Sequence, residues 1–114
     1  MNFTEVETFN NATILKDGSG KFGVKGRSLI EVYPKWDEYS LVPNDKNGRY
    51  LVVKQDGKFG VYDTVRLDYI SYCTLTAITR YAPNLKTLYG KEPLKLFGLI
   101  TRWNCTVEIP LYEN

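Results

Sequence analysis

The groups in this chain that could do chemistry are carboxylates, two thiols and many tyrosines; histidine is absent. Without an imidazole, Ser-His and Cys-His catalysis and zinc sites of the Cys/His type are excluded within the chain. Asp37 and Glu38 are adjacent, so on a strand they face opposite sides and cannot share acid–base work. Asp45, Asp56 and Asp63 stand among turn residues, where Asp bonds its local backbone. No Asp-x-Asp-x-Asp loop gathers oxygens for a metal, and Cys73 and Cys105 have no His partner, so neither a metal nor a cofactor is expected. Gly18-Ser19-Gly20-Lys21-Phe22-Gly23 lacks the spacing of a phosphate loop, and a strand pattern follows it rather than the helix N-terminus that a phosphate cradle needs. It reads as a hairpin turn.

Aromatic and basic residues remain. Nine Tyr, two Trp and 15 Lys+Arg supply stacking faces and cations, and Lys35-Trp36, Arg49-Tyr50, Arg80-Tyr81 and Arg102-Trp103 are adjacent pairs of the two kinds. Asp+Glu number 13, leaving a formal charge of +2, too balanced for bulk attraction to a polyanion. Trp, Tyr and Arg are also the types that dominate protein interfaces. The candidate partner-binding residues are therefore Lys35, Trp36, Tyr39, Arg80, Tyr81, Arg102 and Trp103. The competing reading is that the aromatics fill a small β core while neighbouring bases point outward.

The elements that must position these residues follow a repeat. Lys21-Phe22-Gly23-Val24 recurs 37 residues on as Lys58-Phe59-Gly60-Val61, and a weaker copy, Leu96-Phe97-Gly98-Leu99, follows after a further 38. Turn chemistry precedes each copy: Lys16-Asp17-Gly18-Ser19-Gly20, Lys54-Gln55-Asp56-Gly57 and Tyr89-Gly90-Lys91-Glu92-Pro93. Apolar runs precede the turns, at Ala12 to Leu15, Tyr50 to Val53 and Leu85 to Leu88. Each copy reads as a hairpin, with Asp-Gly as its strongest turn. The Gly after Phe lets a neighbouring backbone approach or permits a bulge, and the Phe anchors one unit to the next. A single hairpin is unstable in water, but a series can stack and share a core.

The Lys-Phe-Gly-Val segments with their Asp-Gly turns, together with Ile30-Glu31-Val32-Tyr33-Pro34-Lys35-Trp36-Asp37-Glu38-Tyr39, resemble WG repeats. These pair a Gly-Lys-Trp-Gly hairpin with a Pro-Lys-Tyr-Asp segment, and Val107-Glu108-Ile109-Pro110-Leu111-Tyr112-Glu113 is similar to the start of that second part. The chain departs from the pattern in having Phe for the signature Trp at 22, 59 and 97. It also has Ile70-Ser71-Tyr72-Cys73 where the second Pro-Lys-Tyr-Asp is due. The resemblance implies a β-rich fold and a scaffolding or binding role, and supplies no catalytic residue.

Strands are expected near 11–16, 21–25, 29–33, 38–42, 49–55, 58–63, 67–73, 96–101 and 106–112, with bends at Pro34, Pro43-Asn44-Asp45 and Asn47-Gly48. For 74–82 both strand and a single short helix stay open: Leu75, Ile78, Ala82 and Leu85 have helical spacing, while Thr74, Thr76 and Thr79 disfavour it. The 114 residues fit one domain, 1–114, mainly β, of consecutive antiparallel hairpins from about three degenerate repeats. No signal peptide or long apolar span stands in the sequence, so a stand-alone cytoplasmic protein with free thiols is expected, without membrane contact. The sequons at Asn2, Asn11 and Asn104 are then coincidental. The functional expectation is a non-enzymatic protein acting through protein–protein contacts, of the kind of small phage inhibitors and immunity proteins. Self-association is compatible with it. Nucleic-acid association through aromatic–basic pairs is the alternative, and a small carboxylate- or Tyr-based enzyme the third reading.

Overall fold

The computed structural model describes residues 3–42, 48–82, 86–96 and 99–111, with positions 80, 82, 94–96 and 99–104 as backbone only. Among them are eleven strands and no helix. These are β1 (Thr4–Phe9), β2 (Ala12–Lys16), β3 (Phe22–Lys25), β4 (Ile30–Trp36), β5 (Glu38–Leu41), β6 (Tyr50–Gln55), β7 (Lys58–Asp63), β8 (Asp68–Leu75), β9 (Ala77–Ala82), β10 (Thr87–Leu96) and β11 (Leu99–Pro110). They form three antiparallel sheets: β1-β2-β3-β4, β5-β6-β7-β8 and β9-β10-β11. Every neighbour in a sheet is also a neighbour in sequence, so the chain is a run of hairpins.

Local chemistry sets the turns. Asp56 and Gly57 have φ of 53° and 80° between the paired Gln55 and Lys58, the two-residue hairpin expected of Asp-Gly. Before β3 the loop is longer, and Asp17 organises it by accepting from Ser19 N at 3.0 Å, Ser19 Oγ at 2.8 Å and Lys21 N at 2.9 Å. Gly23 and Gly60 hold the two close approaches anticipated for the Phe-Gly pairs. A Cβ on Gly23 would lie 2.7 Å from Pro34 N, and one on Gly60 would lie 2.8 Å from Ser71 O. The register shifts at both places, between Phe22 and Val24 and between Phe59 and Val61.

Two cores separate the three sheets. Ile14, Val24, Val32 and Trp36 of the first sheet pack on Leu51, Val53 and Tyr62 of the second. Tyr50, Val61 and Leu75, on the second sheet's other face, pack with Leu88 and Ile109 of the third. The middle sheet is thus covered on both sides, which explains the unbroken apolar run Tyr50-Leu51-Val52-Val53. Burial of each such side chain is worth about 1.5–3 kcal/mol.

The backbone repeats with the sheets. Asp37 N donates to Lys54 O at 2.7 Å at the first junction, and Thr76 N donates to Lys91 O at 2.7 Å at the second. Thr64 N donates to Arg49 O at 2.7 Å, and Leu111 N donates to Lys86 O at 2.8 Å. Leu51 pairs with Tyr62 as Leu88 pairs with Ile109, and Lys54 pairs with Phe59 as Lys91 pairs with Thr106.

This register corrects the third repeat. Thr106 stands where Phe22 and Phe59 stand, whereas Phe97 lies outside the described residues, between the paired Leu96 and Leu99. Tyr89 to Pro93, expected as a turn, belong to β10, and the two strands expected at 96–101 and 106–112 are one strand, β11. The physical reason is position in the stack. The Phe-bearing face of a unit packs on the next unit, and in the third sheet the corresponding Thr106 and Glu108 are exposed. Polar side chains suit a face that no described sheet covers.

Three smaller differences follow from edges. β1 was not expected, because Thr4 to Thr8 are exposed on an edge strand and carry little apolar pattern. Pro34 lies inside β4 rather than at a bend; β4 is an edge strand, where a missing N–H is tolerated. The open segment 74–82 is strand on both sides of a bend at Thr76. The bends proposed at Pro43-Asn44-Asp45 and Asn47 lie outside the described residues. No helix among the described residues is long and apolar enough to cross a membrane.

Candidate functional site

Trp36 organises one surface feature, a notch beside an aromatic stack, from within. Its side chain is completely buried, and its Nε1–H donates to Tyr69 Oη at 2.9 Å. Trp36 and Tyr62 both meet Tyr69 edge-on, at centroid distances of 6.1 and 5.3 Å. Tyr69 in turn carries Tyr72, whose ring lies 4.9 Å away at a 34° tilt. Tyr72 is 67% exposed, so the stack starts in the core and ends in solvent. T-shaped contacts of this kind are worth about 0.5–1.5 kcal/mol each beyond burial, which holds the inner rings in place.

Around the stack is a notch of about 280 Å³ where β4, the β6–β7 turn and β8 meet. Lys35, Lys58 and Asp56 line it beside Tyr69, Tyr72 and Cys73. Three lysines of these two sheets pair with carboxylates outside the notch, Lys21 with Asp37, Lys25 with Glu5 and Lys54 with Glu38, and Lys16 lies over the Phe22 ring. Lys35 and Lys58 have no such pair among the described residues. The notch therefore holds two cations and one carboxylate. Burial pushes the Cys73 thiol up, against a weaker opposing pull from Lys35, so the sulfur stays protonated near neutrality and is a poor nucleophile. Both cysteines are free and half-buried.

The sequence candidates separate into three places. Lys35 is exposed and lines the notch, while Trp36 lies behind it in the core and cannot touch a partner. Tyr39 is half-buried against Phe22, at 5.0 Å between centroids, and its hydroxyl donates to Glu7 Oε1 at 2.7 Å. Burial, then the Glu7 carboxylate, raises its phenol well above the ordinary value. It also borders a shallow cavity of about 220 Å³ with Val52, Lys54 and Phe59. Arg80, Tyr81, Arg102 and Trp103 are all in the third sheet. Tyr81 packs on the second core, opposite Leu88, and Arg80 pairs in register with Tyr89. Arg102 and Trp103 are positions of β11, and the side chains of Arg80, Arg102 and Trp103 lie outside the described residues.

Sequence reasoning missed Tyr69, Tyr72 and Lys58. The one available signal was the departure from the repeat at Ile70-Ser71-Tyr72-Cys73, which falls at the notch.

The third sheet differs from the others at one edge. The outer edge of β3 carries β4 and that of β7 carries β8, both antiparallel. Among the described residues no strand pairs with the corresponding edge of β11. Among the described residues no group of three metal-ligating side chains converges. No protein-family model matches the chain, and searches of curated proteins and of solved structures return no match.

Proposed function

We propose that this is a non-enzymatic binding protein, acting in the cytoplasm through protein–protein contacts, which takes an extended segment of its partner onto the outer edge of β11. One observation carries the reading. The same edge is filled by the chain's own strand in the first two sheets and is without a paired strand, among the described residues, in the third. An open edge offers rows of N–H and C=O groups to an incoming strand, and side-chain pockets then select its sequence.

The filled edge of the second sheet indicates what fits. Tyr62 faces Tyr69 across β7–β8, and its counterpart Ile109 asks for an aromatic or large aliphatic residue. Val61 faces Ser71, and its counterpart Glu108, exposed, asks for a basic one. Arg80, Tyr81, Arg102 and Trp103 belong to this sheet and would extend the contact. The likeness to WG repeats accords with a docking role, and occupying another protein's surface is how small inhibitors and immunity proteins act.

The test uses a synthetic peptide of residues 68–75 with Ser71→Lys, the strand that lies on the equivalent edge of the second sheet. Slowed amide exchange confined to Thr106–Ile109 on adding peptide is the expected result. Unchanged exchange there, or protection only elsewhere, sinks the reading.

A further inference from the structure

We propose a second site, the Tyr72 notch, which binds a nucleotide unit of single-stranded nucleic acid, its base stacked on Tyr72 and its phosphate held between Lys35 and Lys58. Three observations point to that chemistry. Tyr72 turns a largely free ring face to solvent, while its other side rests on Tyr69. Tyr69 is fixed by the hydrogen bond from Trp36 and by two edge-on rings, so the platform is set before a ligand arrives. Lys35 and Lys58 line the same cavity without carboxylate partners among the described residues.

The cavity, about 280 Å³, is near the lower end of small-molecule sites, which run from ~300 to 1,000 Å³. A ring and one phosphate suit that scale better than a whole dinucleotide. Every base has a π face, so stacking on Tyr72 tolerates sequence, and the lysines contact a charge common to all nucleotides. Asp56 on the rim lowers the net charge of the notch to +1, which fits a modest, salt-sensitive contact rather than tight binding. The exposed Tyr72 brings its hydroxyl to the notch, and the protonated Cys73 adds no anion.

The probe is a short fluorescent oligothymidylate, followed by anisotropy at several salt concentrations. Saturable binding is expected, with log K falling against log salt at a slope of about −1.4 for two phosphate contacts on a single strand. Tyr72→Ala weakens it about tenfold or more, while Tyr72→Phe, which keeps the ring, retains it. Lys35→Gln and Lys58→Gln each flatten the slope by about 0.7. Tyr72 and Lys35 are exposed and Lys58 is half-buried, so these variants remain folded with at most a small fall in melting temperature, which is checked alongside.

Three results overturn the assignment. The first is no binding at low salt. The second is competition by inorganic phosphate as strong as by thymidine monophosphate, which leaves an anion site without stacking. The third is displacement by a phosphotyrosyl peptide at concentrations where the oligonucleotide fails, which gives the notch to a protein ligand.

Discussion

Trp36 and Leu75 occupy one position of the repeat. Trp36 pairs with Phe22 and Leu75 with Phe59, and each is buried in the core that joins its own sheet to the following one. The two residues share neither size nor shape, yet each closes a seam between units. Trp36 does more, because its indole N–H also fixes the tyrosine stack.

That extra role separates two substitutions. Leu75→Ala deletes apolar volume at a site 1% exposed and should cost about 2–5 kcal/mol in urea unfolding. Trp36→Phe keeps most of the apolar surface but removes the donor to Tyr69, and should cost about 1–3 kcal/mol. Oligonucleotide binding should fall in Trp36→Phe, because Tyr69 no longer holds Tyr72. A Trp36→Phe protein with wild-type stability would contradict the account of the stack.

The glycines divide by what surrounds them. Gly23→Ala and Gly60→Ala push a Cβ into the backbone of the next strand and should destabilise by about 1–3 kcal/mol or more. Gly57→Ala meets nothing within 4 Å but has a φ of 80°, so it should cost about 1–2 kcal/mol through backbone strain alone. Gly18→Ala, with open space and no positive φ, should be neutral or stabilising by up to about 1 kcal/mol. Melting curves of the four variants rank these mechanisms directly, and equal losses at Gly18 and Gly60 would refute the close-approach argument.

The hairpins around Gly23 and Gly60 were legible because their turn residues and apolar runs act locally. Asp56-Gly57 sets a turn whatever it is packed against. The third unit was not legible from its Phe-Gly pair, because a repeat motif is kept only where the next unit packs on it. Thr106 and Glu108 replace Phe and Val where the stack meets solvent, and the residual Phe97-Gly98 then misplaces the register. β1 carries no apolar alternation for the same reason of exposure. The notch was hidden because its parts come from β4, β7 and β8, and only the packing of the first sheet on the second brings Lys35 to Tyr72.

Acid should loosen the first hairpin before the cores. Hydrogen bonds from Ser19, then from Lys21, hold the Asp17 carboxyl below the ordinary carboxylate value, and the Lys21 ammonium does the same for Asp37. A group with a depressed folded pKa contributes stability above its unfolded value of about 3.9, and loses it as pH falls through the folded value. Lys21 is shifted up by the same pairing, so its contribution persists below about 10.4 and fades as pH rises through the folded value. All three groups are on the surface, so the effect is small and screened by salt. Melting temperature against pH should fall more steeply below about pH 4 for the wild type than for Asp17→Asn with Asp37→Asn. Parallel curves would show that neither carboxylate is linked to folding.

Arg49 and Asp63 provide the sharpest test of how the second sheet is tied at its end. The pair is buried, with Nε to Oδ1 at 3.4 Å and Nη2 to Oδ2 at 3.3 Å. Asp63 Oδ1 also accepts from Val65 N at 2.9 Å and Arg66 N at 3.2 Å, so this carboxylate organises the β7–β8 turn as well. Arg49→Met leaves a buried carboxylate without its cation and should cost about 3–5 kcal/mol. Asp63→Asn keeps an acceptor for the turn but withdraws the carboxylate charge from the buried guanidinium, and should cost a comparable amount. The double variant removes both charges while the turn keeps its acceptor, so its loss should fall short of the sum by about 1–3 kcal/mol. Strict additivity in that cycle would mean that the two side chains act independently, the turn through Asp63 and the β6 end through Arg49, and the buried pair would then contribute no coupling.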